Sequence, residues 1–343
     1  MPELSDVTAQ SAEFTRQQAE ERKRRSERID KLGLTRTASF IERMNQKSAQ
    51  TAGSEVAQLA VSPDELSEAT AALLKNYQAT GQSLGNGAFA DVFLFSSRQN
   101  SHTKYAVKVM FKEDMDHEIM QMVNEEVKIL AMLDHPNIVK YIESYEDKDN
   151  LFIVMEYLEE ATELQKLIDN KIKEMNADPT LNNESLFKED ELCRIMRMIL
   201  GGLHHIHSNN VVHRDLKPEN CLLVKNGMVR IIDFGLSKMV KRIDEGQFMM
   251  GTPYYLAPEV HELQGNNEAY RQPLDVWSAG VLMYHMICGS YPFKAPDLHD
   301  KICTSYVTFD HARFSKTSSI AKDLIRKLLT KNSTERFTAS DAL

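Results

Sequence analysis

Cysteine is scarce in this sequence, and what there is lies scattered. Four occur in 343 residues, at Cys193, Cys221, Cys288 and Cys303, with no Cys-x-x-Cys pair. That pattern excludes a disulfide framework and a cysteine-rich zinc site, and suits a reducing compartment with buried thiols. An apolar run of about 18 residues is also missing, so no membrane span or anchor is expected. The opening MPELSDVTAQ has no signal-peptide core, and Pro2 stands where myristoylation needs glycine. Positive charge is in deficit: 41 Lys and Arg against 50 Asp and Glu leave a formal net charge of −9. Such a balance argues against a nucleic-acid partner. No internal repeat is found. A cytoplasmic protein is expected, with nuclear entry allowed.

What is present falls into two parts. Residues 1–76 form an N-terminal extension expected to be largely disordered. EFTRQQAEERKRRSERIDKLG is charged with hardly any apolar stripe, so a helix there would have no face to bury. Its basic run Arg22 to Arg25 reads as a solvated charge cluster, with an import signal as the alternative. SPDELSEATAALLKN (62–76) reads as a helix near 63–75, capped by Ser62 and opened by Pro63, Asp64 and Glu65.

From Tyr77 the pattern changes. DVFLFSS, KYAVKVMF, IVKYIESYED and LFIVMEYL read as strands, interrupted by one helical stretch over roughly 116–133. Beyond residue 160, ELCRIMRMILGGLHHIHS, DVWSAGVLMYHMIC and SSIAKDLIRKLLT carry apolar residues at helical spacing. An α+β chain is expected, with a small strand-rich lobe (77–157) before a larger helical lobe (158–343). KIKEMNADPTLNNESLFKED (171–190) reads as a polar surface insertion. The histidines of HHIH (204–207) read as helix packing rather than a metal cluster.

LGNGAFADVFL (84–94) holds two glycines between two strands. Alone, it fits a phosphate-covering loop and an empty hairpin equally well. VVHRDLKPENCLL (211–223) decides between them, by placing Asp215, Lys217 and Asn220 on one loop between apolar flanks. IIDFGLSK (231–238), GTPYYLAPEV (251–260) and DVWSAGV (275–281) follow in order. In order and spacing these motifs resemble the eukaryotic protein kinases over residues 77–343, which implies a bilobal protein kinase fold. LDHPNIV (133–139), GTPYYLAPEV and KLLTKNSTERFTASDAL look most like the calcium/calmodulin-dependent group, and within it the calcium-dependent kinases. Those enzymes carry calcium-binding EF-hands after the kinase domain. No Asp-x-Asp-x-Asp-Gly loop occurs here, and the chain stops inside the expected closing helix, so the sequence looks truncated. The resemblance allows a C-terminal calcium-sensing region outside this chain, and calcium control cannot be read from these residues.

The resemblance implies ATP and Mg2+ as cofactors and protein serine and threonine hydroxyls in a basic context as acceptors. By the same implication, Lys108 binds the α and β phosphates and pairs with Glu126, whose rival is Glu125. Asp233 chelates magnesium and Asn220 holds a second site. Asp215 accepts the substrate proton, Lys217 neutralises the transferring phosphoryl, and Thr252 shapes the acceptor site. Leu84, Gly85, Asn86, Gly87, Ala88 and Phe89 cover the nucleotide. Val92, Ala106 and Leu222 sandwich the adenine with Leu84; Met155 is the gatekeeper and Glu156 to Leu158 the hinge. Glu219 and Glu163 are implied contacts for an arginine before the acceptor. Glu259 is expected to pair with Arg336, and Asp275 to hold the catalytic-loop backbone. His213, Phe234, Leu130 and Tyr141 are implied to form an apolar column. The alternative is a pseudokinase or scaffold, which would keep the fold while losing Lys108, Asp215 or Asp233. None of the three is lost.

Overall fold

The computed structural model describes residues 67–86, 90–239, 253–262 and 272–343. The expectations for residues 1–66, the Ser62 cap and the basic run among them, lie outside the described residues. Contacts divide the chain into two units. One holds the residues up to Gln121 together with Tyr141–Tyr157; the other holds Met122–Lys140 and Leu158–Leu343.

The first unit opens with α1 (Glu68–Asn76). Its cap is Ser67, whose hydroxyl accepts the Thr70 N–H at 3.4 Å, while Asp147 accepts the Ala69 N–H at 2.8 Å. Two acceptors thus satisfy the first amides of this helix, which begins at Glu68. Five strands follow in this unit: β1 (Tyr77–Asn86), β2 (Asp91–Ser97), β3 (Lys104–Phe111), β4 (Tyr141–Glu146) and β5 (Asn150–Glu156). They form one antiparallel sheet in the order β1-β2-β3-β5-β4.

Strand alternation sorts the sheet's side chains into two sets. Phe93, Phe95, Val107, Val109, Phe111, Phe152 and Val154 form a core with Ala69, Leu73 and Leu74 of α1. Val92, Ala106, Lys108 and Met155 belong to the opposite face. Polar bonds fasten α1 at both ends: Asn150 Nδ2 donates to Ser67 Oγ at 2.8 Å, and Asn76 Nδ2 donates to the Tyr145 hydroxyl at 2.8 Å. The Tyr77 hydroxyl donates to Glu143, and burial, then this carboxylate, push its pKa far up.

Helix α2 (His117–Met132) carries the residues between β3 and β4. Residues 122–140, expected with the strand-rich lobe, group with the second unit. The cause is backbone pairing: Val139 N–H donates to Ile231 O at 2.9 Å and Ile231 N–H to Asn137 O at 2.8 Å.

The second unit continues with β6 (Thr162–Glu163), α3 (Leu164–Ala177) and α4 (Glu189–Ser208). Next come β7 (Val211–Val212), β8 (Cys221–Leu223), β9 (Val229–Ile231) and β10 (Lys238–Met239). The helices α5 (Pro258–Glu262), α6 (Pro273–Cys288), α7 (Leu298–Thr304) and α8 (Ser319–Leu328) complete it. Acidic Glu189, Asp190 and Glu191 open α4, as the positive end of a helix dipole favours. Helix α6 is buried on every side and ends at Gly289 in the left-handed region, φ +70°. A methyl group at Gly280 would meet Leu328 at 2.8 Å, so glycine there permits the close packing of α6 on α8.

One expectation needs correction and another gains detail. The stretch 171–190 lies mostly at the surface, but helix α3 runs through its first part, and Met175, Leu186 and Phe187 are buried as its apolar anchors. Not all the thiols are buried. Cys221 and Cys288 are, with burial pushing their pKa values up to about 12 and about 11, but Cys193 lies on the exposed side of α4. Among the described residues no helix is long and apolar enough to cross a membrane.

Candidate active site

Three residues meet on the loop between β7 and β8. Asp215 Oδ2 accepts from Lys217 Nζ at 2.7 Å and from Asn220 Nδ2 at 2.9 Å. The same Asn220 amide donates to the Asp215 backbone oxygen at 2.8 Å. Pro218 fits the start of the short 3-10 turn Pro218–Asn220, which carries Asn220 back beneath Asp215.

The loop is pinned from below by a buried carboxylate. Asp275, near the start of α6, accepts the His213 N–H on Oδ2 and the Arg214 N–H on Oδ1, each at 2.8 Å. His207 Nε2 lies 2.8 Å from Oδ2. Burial pushes the Asp275 pKa up, but the His207 hydrogen bond and the nearby imidazoles outweigh it and hold the carboxyl below its usual range. Ser237 Oγ donates to His213 O at 3.2 Å, and the His213 ring meets Phe234 edge-on at 4.9 Å. Thus HHIH contributes His207 to a backbone clamp. His205 instead stacks on His135, 5.1 Å between ring centres.

Arg214 and Asp233 both adopt left-handed backbone, with φ of +70° and +62°. For residues bearing a Cβ this conformation costs on the order of 1–3 kcal/mol each, and it persists only where surroundings over-determine it. The Asp275 clamp supplies that constraint at Arg214. At Asp233, the preceding Ile232 N–H donates to Asn220 O at 2.9 Å, and Oδ1 accepts the Gly235 N–H at 3.2 Å. Asp233 is exposed at the end of this apolar strand segment.

These contacts bear on metal binding. Both Asn220 N–H groups are directed at Asp215, which leaves the amide oxygen for a cation. Asn220 and Asp233 then offer the hard oxygen donors that magnesium takes from protein when phosphates supply the rest. Among the described residues no group of three or more His, Cys, Asp or Glu side chains is arranged as a metal centre of its own.

On α2, the structure separates the two rival glutamates. Glu125 is 3.2 Å from Lys238 Nζ and accepts the Met239 N–H at 3.2 Å. Glu126 is buried, with Oε2 3.8 Å from the place a Cβ on Gly235 would take. Glu125 thus fastens β10 to α2, while Glu126 lies beside the Asp233–Gly235 turn. The sequence reading missed the Lys238 partner, since nothing in the spacing marks it.

The strand-rich unit positions the remaining candidates. Cross-strand register sets Val92 opposite Lys108, Lys108 opposite Ile153, and Ala106 opposite Met155. Lys108, Ala106, Val92 and Met155 therefore share the sheet face away from the α1 core. Gly85 pairs with Val92, and the space where its Cβ would stand is open. Leu84 is 37% exposed. Glu156 ends β5, and Leu158, half-buried, opens the second unit. Leu222 lies on β8, paired with Glu163 and Arg230. Gly87, Ala88, Phe89 and Thr252 lie outside the described residues, as does the Asn86 side chain.

The expected pair between Glu259 and Arg336 forms in a buried, two-pronged geometry at 2.6 and 2.8 Å. Arg336 also donates to Pro273 O at 2.8 Å. This ties α5 to the start of α6, below the segment that precedes α5.

Comparison with known proteins agrees with this geometry. The model of the protein kinase domain matches residues 78–343. Calcium-dependent protein kinase 4 of Plasmodium berghei is 37% identical over 268 residues, covering 76% of this chain and 47% of that protein. Calcium-dependent protein kinase 5 of Plasmodium falciparum is 32% identical, covering 82% of this chain and 45% of that protein. A probable myosin light chain kinase of Dictyostelium discoideum is 31% identical, covering 79% and 66%. The chain spans about half the length of the Plasmodium relatives. With the family model reaching from Gln78 to Leu343 over the same motifs that build the clamp and the Asp215 loop, this chain belongs to the protein kinase family and resembles its calcium-dependent serine/threonine members.

Proposed function

We propose that this chain is an ATP- and Mg2+-dependent kinase that phosphorylates serine and threonine hydroxyls of proteins, in calcium-linked signalling. The observation that carries the reading is the Asp215 carboxylate, held by Lys217 and Asn220 on a loop whose backbone Asp275 grips. Phosphoryl transfer asks little covalent chemistry of a protein; it asks for position and charge. Asp215 orients the acceptor hydroxyl and takes its proton as the oxygen attacks the γ-phosphorus, while the bond from that phosphorus to the β,γ-bridging oxygen breaks and ADP leaves. Lys217, already 2.7 Å from Asp215, offsets the charge of the transferring group. Lys108 aligns the α and β phosphates, with Glu126 as its proposed partner. Asn220 and Asp233 hold the divalent ion, and Thr252 shapes the acceptor site. A magnesium ion held there would supply positive charge to the phosphates.

Residues 84–89 cover the phosphates, since glycine lets the backbone lie close to them. Leu84, Val92, Ala106 and Leu222 sandwich the adenine, with Met155 as gatekeeper and Glu156 to Leu158 as the hinge. The calcium link is drawn from relatives named as calcium-dependent. No calcium loop lies in these 343 residues, so calcium would act through sequence or a partner outside them. The Lys-Pro-Glu-Asn run after Asp215 supports serine and threonine rather than tyrosine as acceptor.

The test is phosphate transfer from labelled ATP to a basic serine peptide, with Asp215→Asn beside the parent. Incorporation that needs Mg2+ and falls by about 1,000-fold or more in the variant is expected. Equal incorporation by both proteins would overturn the reading.

A further inference from the structure

Two neighbouring glutamates are buried on α2, and the kinase reading uses only Glu126. The contacts of Glu125 lead elsewhere. Its Oε2 lies 3.2 Å from Lys238 Nζ, with the two side chains 9% and 10% exposed. Its Oε1 accepts the Met239 N–H at 3.2 Å. One carboxylate thus holds strand β10 twice, through a charged side chain and through the backbone.

Strand β10 is in turn the partner of β7. Lys238 stands opposite Val212 and Met239 opposite Val211. Val212 runs directly into His213, whose carbonyl accepts the Ser237 hydroxyl at 3.2 Å. Contacts therefore run from α2 through β10 to the root of the Asp215 loop, on the side away from the Asp275 anchor of His213 and Arg214 at 2.8 Å. Glu126, the next residue, is turned by about 100° around the helix and faces the Asp233–Gly235 turn instead. Because both glutamates sit on one rigid turn, whatever fixes Glu125 also fixes Glu126.

The chemistry of the pair suits that task. A buried ion pair adds little net stability, since desolvating both charges offsets their attraction. Separating it is costly, because each charge would then be enclosed without its counterion. Helix α2 cannot slide along β10 or lift from it without stranding Glu125 or Lys238, whereas an apolar contact would tolerate a shift. The pair therefore specifies register more than it adds stability.

We propose that Glu125 and Lys238 form a charged latch that holds α2 on β10 and so positions Glu126 and the Asp215 loop for phosphate transfer. The latch rests on the kinase reading and deepens it. Both members are positioning residues; the reacting groups are those already named.

The test uses the full chain with Glu125→Gln, Lys238→Met, Lys238→Arg and the reversed pair Glu125→Lys with Lys238→Glu. Lys327→Met is the control, since it cuts an exposed ion pair with Asp323 on α8. Initial rates give kcat and the KM for a serine peptide, and hydrogen exchange follows the amides of α2 and of residues 211–223. In Glu125→Gln and Lys238→Met, kcat is expected to fall about tenfold or more while the peptide KM stays within about twofold. Lys238→Arg, which keeps the charge, should stay within about threefold of the parent, and the reversed pair should regain about fivefold or more over the weaker single change. Exchange in α2 should speed up in the two neutral variants, slow again in the reversed pair and match the parent in the control. A packing role alone would lower the melting temperature of all the variants and leave kcat per folded molecule unchanged. Parent-like kcat in both neutral variants, or Lys238→Arg as impaired as Lys238→Met, would overturn the latch. If one neutral variant unfolds, the other and Lys238→Arg carry the test. Charge-dependent exchange in α2 without any phosphate transfer by the parent would uphold the latch as a tether and sink the catalytic reading alone.

Discussion

The carboxylate of Asp275 holds the backbone of Arg214: Oδ1 accepts the Arg214 N–H at 2.8 Å, and Arg214 stays at φ +70°. The loop that carries Asp215 thus takes its shape from a residue 60 positions away in sequence. Asp275→Asn keeps the size but turns one acceptor into a donor facing a backbone N–H. A loss on the order of 100-fold in kcat is expected from a displaced Asp215. Stability should fall by about 1–3 kcal/mol, because a buried backbone N–H loses its acceptor. Steady-state kinetics and urea unfolding on the same preparation check both.

Removing catalytic charge without touching the core separates chemistry from folding. Asp233→Ala and Lys108→Met should each abolish transfer, by losing a metal ligand and the phosphate contact. Asp233 is exposed and Lys108 half-buried, so melting temperatures should stay within about 3 °C of the parent. Transfer within about threefold of the parent in either variant would contradict their roles.

Much of this was legible in the sequence for a physical reason. Strands such as KYAVKVMF alternate because one face packs on α1, and β3 spans the residues its pattern suggests. The Asp215 loop was legible because its three side chains lie within six residues, so local sequence determines their meeting. What stayed hidden depends on distant partners. The start of α1 is set by Asp147, 78 residues from Ala69. The partner of Glu125, Lys238, stands more than 110 residues on. The polar run 171–190 reads as a surface insertion without showing its buried anchors, because Met175, Leu186 and Phe187 follow no regular period.

Buried His285 makes stability depend on pH. Burial lowers its folded pKa to about 4, against 6.5 for a free imidazole. Between those values the unfolded chain binds a proton that the folded chain does not. Stability therefore falls as pH drops from 6.5 towards 4, by up to about 3 kcal/mol. Asp275, also held below its ordinary value, adds to the loss only as pH falls below about 4. His285→Gln should flatten the slope between pH 6.5 and 4. Chemical denaturation across that range, with an unchanged slope in the variant, would show that another group is responsible.

The Glu259–Arg336 pair should behave as a buried ion pair does when one side is cut. Glu259→Gln leaves the Arg336 charge enclosed and should cost about 3–5 kcal/mol. Replacing both partners, Glu259→Leu with Arg336→Met, should cost less than the two single changes together, since neither charge is then stranded. A double-mutant cycle by denaturant unfolding measures the coupling, and strict additivity would show that the two act independently.

The last prediction concerns switching. Many kinases order the segment before the Ala-Pro-Glu run by a phosphate that pairs with the arginine of His-Arg-Asp, here Arg214. The corresponding position holds Phe248, outside the described residues, and phenylalanine cannot carry a phosphate. Arg214 meanwhile has its backbone fixed by Asp275, a restraint that needs no modification. Catalysis without phosphorylation of this segment follows, with control exerted from elsewhere in the protein. Phosphatase-treated protein should retain at least about half the activity of untreated protein. Phe248→Glu, which places a negative charge where the phosphate would sit, should raise the rate by less than about threefold. A hundredfold loss on dephosphorylation, restored by phosphate on one residue between Asp233 and Glu259, would show that this kinase is switched in the usual way after all.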